Sequence, residues 1–143
     1  MVHYYTNSPE DFMATTLPFQ VSPSSGVPIY RQLVDQVRAQ IAGGRLAAGE
    51  FLPSIRRVAE DLQINSMTVS KAYSILEREN LIELVRGQGV RIAPVKPAAN
   101  GKLRREVLMP LLAQVAAAAK QLSLPPKQVI EELKPLLEEQ DHG

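Results

Sequence analysis

Between Leu52 and Ile92 the chain reads LPSIRRVAEDLQINSMTVSKAYSILERENLIELVRGQGVRI, and this order constrains the fold more than any other stretch. Ser54 is placed to cap a helix in which Ile55, Val58, Ala59 and Leu62 recur at helical spacing, with charged residues between them. Gln63-Ile64 predicts a tight turn. Asn65 then caps a second helix whose inward stripe is Val69, Ala72, Tyr73 and Leu76. Leu81 to Val85 and Val90 to Ile92 are β-prone and flank glycines that permit a hairpin. Helix, turn, helix and hairpin in succession predict a helix-turn-helix with a wing.

Upstream, Pro28 opens a further helix with an apolar stripe of Ile29, Tyr30, Leu33, Val34, Val37 and Ile41. Gly43-Gly44 ends it, and Arg45 to Leu52 reads as a link turning at Gly49. The fold class expected is therefore mainly α: a winged helix-turn-helix of three helices and a two-stranded wing over residues 21–95. Residues 1–27 hold no Lys or Arg and several Pro, Ser and Thr, and residues 1–20 of that stretch are expected to form a flexible arm. Residues 96–102, part of a Pro-rich stretch that includes Asn100-Gly101, read as a linker.

Beyond the linker, Leu103, Val107, Leu108, Leu111, Leu112, Val115 and Leu122 share one helical stripe. Val129, Ile130, Leu133 and Leu137 form another, in a helix started by Pro125. Pro110 and Pro135 are expected to kink or divide these helices. Two short amphipathic helices hold little core of their own, so residues 103–140 predict a dimerisation region paired with a second copy.

Composition narrows the function. The chain has no Cys, which excludes disulfides and thiolate metal sites and fits a reducing cytoplasm. Its two histidines, His3 and His142, stand at opposite ends, and no phosphate loop is present, so no enzyme, metal or cofactor is expected. No apolar run is long enough for a membrane span. The net charge of +1 is unevenly spread: residues 28–96 hold ten Lys or Arg against seven Asp or Glu, while residues 97–143 hold six of each. That modest excess sits on the helix-turn-helix. A winged helix used for protein assembly is the competing reading that so small an excess leaves open.

A helix-turn-helix places its second helix in the DNA major groove. The exposed start of that helix carries Asn65, Ser66, Met67, Thr68, Ser70 and Lys71, small or polar groups that approach base edges. Asn65 has the chemistry to pair bidentately with adenine, and Met67 or the Thr68 methyl to meet a thymine methyl. Ser54 starts the preceding helix, on which Arg56 and Arg57 are placed to grip the DNA backbone or reach a guanine; at the wing tip Arg86, beside Gly87, Gln88 and Gly89, is placed to enter the neighbouring minor groove or hold a phosphate. Double-stranded DNA is the expected partner. What effector, if any, controls it cannot be read from these residues.

The spaced residues Pro28-Ile29-Tyr30, Gln32-Leu33, Gly44, Leu46, Gly49-Glu50, Leu52-Pro53-Ser54 and Arg56 resemble the winged-helix domain of GntR-family transcription regulators. Thr68-Val69, Ala72-Tyr73, Leu76-Glu77, Leu81-Ile82 and Arg86-Gly87-x-Gly89 continue the resemblance. It implies a homodimer on imperfectly palindromic operators, with Arg56, positions 65–68 and 70, and Arg86-Gly87 at the DNA. Many members carry Arg where this chain has Ser66, and some a basic residue at Ser70, which implies a different operator. Val90-Arg91 replaces a usual Thr-aromatic pair, adding Arg91 as a backbone contact. The short region after the wing resembles the YtrA-like subfamily. This implies dimerisation through residues 101–140 and, often, repression of an ABC transporter operon.

Overall fold

The computed structural model describes residues 19–139. It divides into two compact units, residues 1–104 and 105–143. In the first unit, helix α1 (Ile29–Ala42) follows Pro28 at its N-cap and buries Leu33, Val34, Val37, Ile41 and Ala42. Strand β1 (Phe51–Leu52), helix α2 (Ile55–Leu62), helix α3 (Ser66–Arg78), strand β2 (Ile82–Val85) and strand β3 (Gly89–Ile92) come next. Helix α3 packs on α1, α2 and β2. Leu33, Val34, Val37, Val58, Val69, Leu76 and Ile92 are fully buried at the centre of this unit.

The sheet has three strands in the order β1-β3-β2, all antiparallel, where the sequence suggested two. Strand β1 pairs Phe51 with Arg91 and Leu52 with Val90, and bonds between Gly49 or Glu50 and Ile92 extend the ladder. Two residues are too few for alternation to show in a sequence, so the Arg45–Leu52 link concealed this strand. Strands β2 and β3 pair from Ile82–Ile92 to Val85–Gly89, as a tight hairpin requires.

Of the arm expected over residues 1–20, only Phe19 and Gln20 are described. Residues 1–18 lie outside the described residues, but Phe19 is buried and Gln20 is held. Two glutamines one turn apart on α1 do the holding. Gln36 Oε1 accepts from the Gln20 N–H at 2.9 Å and its Nε2 donates to the Gln20 carbonyl. Gln32 does the same for Ser22, at 2.8 and 3.0 Å, and also donates to Val27 O at 2.8 Å. A side-chain amide offers the donor and acceptor of a peptide group, so each glutamine acts as a surrogate strand neighbour.

Helix α4 (Pro97–Gln121) starts inside the expected linker. Pro97 costs nothing in a first turn, and the Asn100-Gly101 penalty of about 1 kcal/mol is offset where the helix docks. Leu103 is buried, and Arg104 Nε donates to the Ala42 carbonyl at the end of α1 at 3.1 Å. Leu103 therefore belongs to the core of the first unit and is not free for pairing, contrary to the dimerisation stripe assigned to it. Helix α5 (Pro126–Glu139) begins one residue after Pro125, and Pro110 and Pro135 lie inside continuous helices rather than dividing them.

Residues 105–139, the described part of the second unit, contain no buried side chain. Leu108, Met109, Leu111, Leu112, Val115, Leu122, Ile130, Leu136 and Leu137 are all exposed. Val107, Val129 and Leu133 are half-buried. Among the described residues no helix is long and apolar enough to cross a membrane.

One hydrogen bond locks the first unit together. The Tyr73 hydroxyl, buried on α3, donates to the Pro53 carbonyl at 2.6 Å, where β1 turns into α2. Burial pushes the Tyr73 phenol well above its ordinary range. Replacing Tyr73 by Phe strands the carbonyl, and we expect a loss of about 1–2 kcal/mol. Urea unfolding followed by far-ultraviolet circular dichroism reads this; an unchanged midpoint would contradict the role.

Candidate nucleic-acid interface

The site begins at Ser54, whose Oγ accepts from the Arg57 N–H at 3.0 Å and caps α2. This fixes the first turn, so Ser54 serves the helix before it serves any ligand. The two arginines that follow are unequal. The Arg56 side chain is 87% exposed, with a loose 3.4 Å contact from Nε to Glu60 Oε2. Arg57 is 33% exposed and pairs at the same distance with Asp61, itself 21% exposed. An exposed i,i+4 pair contributes a few tenths of a kcal/mol, so Arg56 is available to an incoming anion and Arg57 is largely committed to its helix.

The turn is a backbone device. Gln63 sits in left-handed conformation at φ 56°, with its N–H bonded to Glu60 O and the Ile64 N–H to Ala59 O at 3.0 Å. This is a Schellman closure made with a residue other than glycine. Asn65 restarts the chain: its Oδ1 accepts from the Met67 N–H at 2.7 Å. That bond engages one of the two lone pairs of the oxygen that a bidentate adenine contact also uses, so Asn65 serves the helix cap first.

Beyond the cap, Ser66, Met67, Ser70 and Lys71 are exposed and Thr68 is half-buried. Met67 is 75% exposed, an apolar side chain presented to solvent in the first turn of α3. Ser66 and Arg56 line one open groove with Ile55, Ala59, Glu60 and Ile64. Ser70 lines a narrower crevice between α3 and the wing, with Ser74, Glu77, Leu84 and Val90. Ser74 and Leu84 did not stand out in the sequence. Leu84 occupies an ordinary alternating position and is exposed on β2, an edge strand of the sheet.

The wing tip is a turn closed by the Gln88 N–H on Val85 O at 2.9 Å, with Gly87 at φ 79° and Gly89 at φ 122°. Both conformations favour glycine. Arg86, Gly87, Gln88 and Gly89 are all exposed there. Arg91, expected as an added backbone contact, instead bonds Glu83 directly across the hairpin. Its charge is answered within the sheet. Lys71 is also engaged, its Nζ 3.9 Å from the centroid of the Tyr30 ring on α1.

The cap at Asn65 can be tested apart from any ligand. Asn65→Ala should cost about 1 kcal/mol of stability, and Asn65→Asp or Asn65→Ser should recover most of it. Equal melting temperatures for the wild type and the alanine variant would show that the cap contributes nothing.

A sequence model of the gntR family of bacterial regulatory proteins matches residues 29–92, from α1 through β3. The HTH-type transcriptional repressor YtrA of Bacillus subtilis is 43% identical over 74 residues, which cover 52% of this chain and 57% of that repressor. The HTH-type transcriptional regulator YhcF of the same organism is 34% identical over 117 residues, 80% of this chain and 93% of that protein. The structure of a GntR family transcriptional regulator from Listeria monocytogenes superposes with a TM-score of 0.66 at 27% identity, over 78% of this chain and 97% of that one. A capped helix-turn-helix, a glycine wing and a relative matched almost from end to end converge on one conclusion: the chain belongs to the GntR family of DNA-binding transcriptional regulators.

Proposed function

We propose that the protein is a homodimeric repressor that binds a palindromic operator, setting the first turns of two α3 helices in successive major grooves. The observation that carries the DNA reading is the exposed first turn of α3, where Ser66, Met67 and Ser70 present small polar and apolar groups beside the unburied Arg56. Hydroxyls reach base edges or phosphates, and the Met67 thioether packs on a thymine methyl. Arg86 at the wing supplies charge to an adjacent phosphate or minor groove. Repression follows from similarity to YtrA, and the YtrA-like resemblance points to an ABC transporter operon as the regulated locus. Repression would then act by occlusion of a promoter.

The second unit supports the dimer. Nine large apolar side chains stand exposed between Leu108 and Leu137. A burial of about 1.5–3 kcal/mol per side chain favours covering them.

Arg56→Ala and Arg86→Ala should each weaken operator binding about tenfold, the effect of losing one charged hydrogen bond. Arg57→Ala should weaken it much less. Fluorescence anisotropy on a labelled duplex distinguishes these outcomes, and equal losses for Arg56 and Arg57 would contradict the assignment. The double substitution Leu111→Asp with Leu137→Asp tests assembly. Both positions are exposed in the single chain, so a monomer should tolerate the change. A dimer should fall to half its mass in sedimentation and lose preference for paired half-sites; an unchanged mass would refute pairing through this face.

A further inference from the structure

The flank of α3 turned toward α1 carries charge to which the proposed function gives no specific contact. Lys71 Nζ stands 3.9 Å from the centroid of the Tyr30 ring, and the Arg31 guanidinium carbon lies 5.5 Å from the same point. Such contacts hold a cation in place at a modest gain of about 0.5–1 kcal/mol in exposed settings. They do not neutralise it. Arg38, Arg56, Arg57 and Arg91 are each paired with a carboxylate. Among the described residues no ion pair involves Arg31 or Lys71. Two exposed cations thus share one aromatic ring with no anion between them. The first turn of α1 adds to the deficit, because it holds no acidic residue and no side-chain cap.

Position says which anion fits. Lys71 lies one helical turn beyond Met67, and Tyr30 approaches it from α1. Ser70 and Ser74 line the crevice on the opposite, wing-facing flank. The exposed start of α3 is therefore bordered on one flank by the wing and on the other by Tyr30, Arg31 and Lys71. A major groove is bounded in the same way, by the phosphates of its two strands, about 12 Å apart. We infer that Arg31 and Lys71 hold a backbone phosphate of the strand opposite the one the wing meets, with Tyr30 as a positioning residue that keeps Lys71 on that flank. The inference rests on the DNA reading of α3 and adds Arg31 and Tyr30 to it. It makes Lys71 a phosphate contact, not a base reader.

The test uses the full-length protein, a duplex selected from random sequence and a scrambled duplex, with anisotropy measured across salt concentrations. Arg31→Ala and Lys71→Ala should each lower the slope of log affinity against log salt by about 1 and weaken both duplexes alike. The sequence selected should not change. Tyr30→Leu should weaken both duplexes as Lys71→Ala does, and Tyr30→Phe should restore binding, since only the ring is used. Unchanged slopes in both charge variants, or an altered selected sequence with Lys71→Ala, would overturn the inference while leaving the α3 reading intact. If the wild type binds neither duplex in a salt-dependent way, the α3 reading itself fails, and this assignment fails with it.

Discussion

Val69, Ala72, Tyr73 and Leu76 form the buried face of α3, and the positioning of the candidate interface depends on them. This helix must be a core element and an exposed reader at once, which a 3.6-residue period permits only if the two roles keep to opposite sides. α1 and α2 pack on it, β2 abuts it, and the Tyr73 hydroxyl anchors the junction of β1 and α2. Its ends are fixed as firmly as its side. Asn65 caps the start. Asn80, left-handed at φ 62°, closes the end through the Leu81 N–H on Leu76 O, and Glu79 pairs with Arg38 of α1. A helix held at both ends and along one face presents Ser66, Met67 and Ser70 in a defined geometry, the condition for reading base edges.

The two units solve different problems. The first has a centre of fully buried aliphatic side chains, reinforced by polar clamps such as the Gln32 and Gln36 amides and the Arg104 bond to α1. The second buries nothing within the described residues and exposes an unusual amount of Leu, Ile, Val and Met. Exposed apolar surface of this extent is characteristic of association sites. In the proposed dimer this surface is what joins the two copies.

Much of this was legible in the sequence because it was periodic. The stripes of α1, α2 and α3, the Ser54 and Asn65 caps and the glycines of the wing follow from spacing and residue type alone. Features hidden from the sequence were those that depend on long-range partners. β1 has two residues and exists because β3 lies beside it. The start of α4 overrides Asn100-Gly101 because Leu103 finds a core and Arg104 a carbonyl. Within the interface, residue type identified Arg56, Arg57 and Arg91 without ranking them. Partners did that: Asp61 engages Arg57, Glu83 engages Arg91, and Arg56 is left exposed. Likewise residue type marks Asn65 as a cap and as an adenine contact, and only the 2.7 Å bond to Met67 shows that its oxygen does cap the helix.

The central claim is that a pair of α3 helices reads a two-fold-symmetric DNA sequence. Selection of binding sites from random duplexes with the full-length protein, followed by anisotropy on the enriched sequence across salt concentrations, tests it most directly. A dimeric reader enriches a palindrome with half-sites about one helical turn, or a multiple of it, apart, and its affinity falls steeply with salt. A folded protein that enriches no sequence, or that binds all duplexes with salt-insensitive affinity, would contradict it.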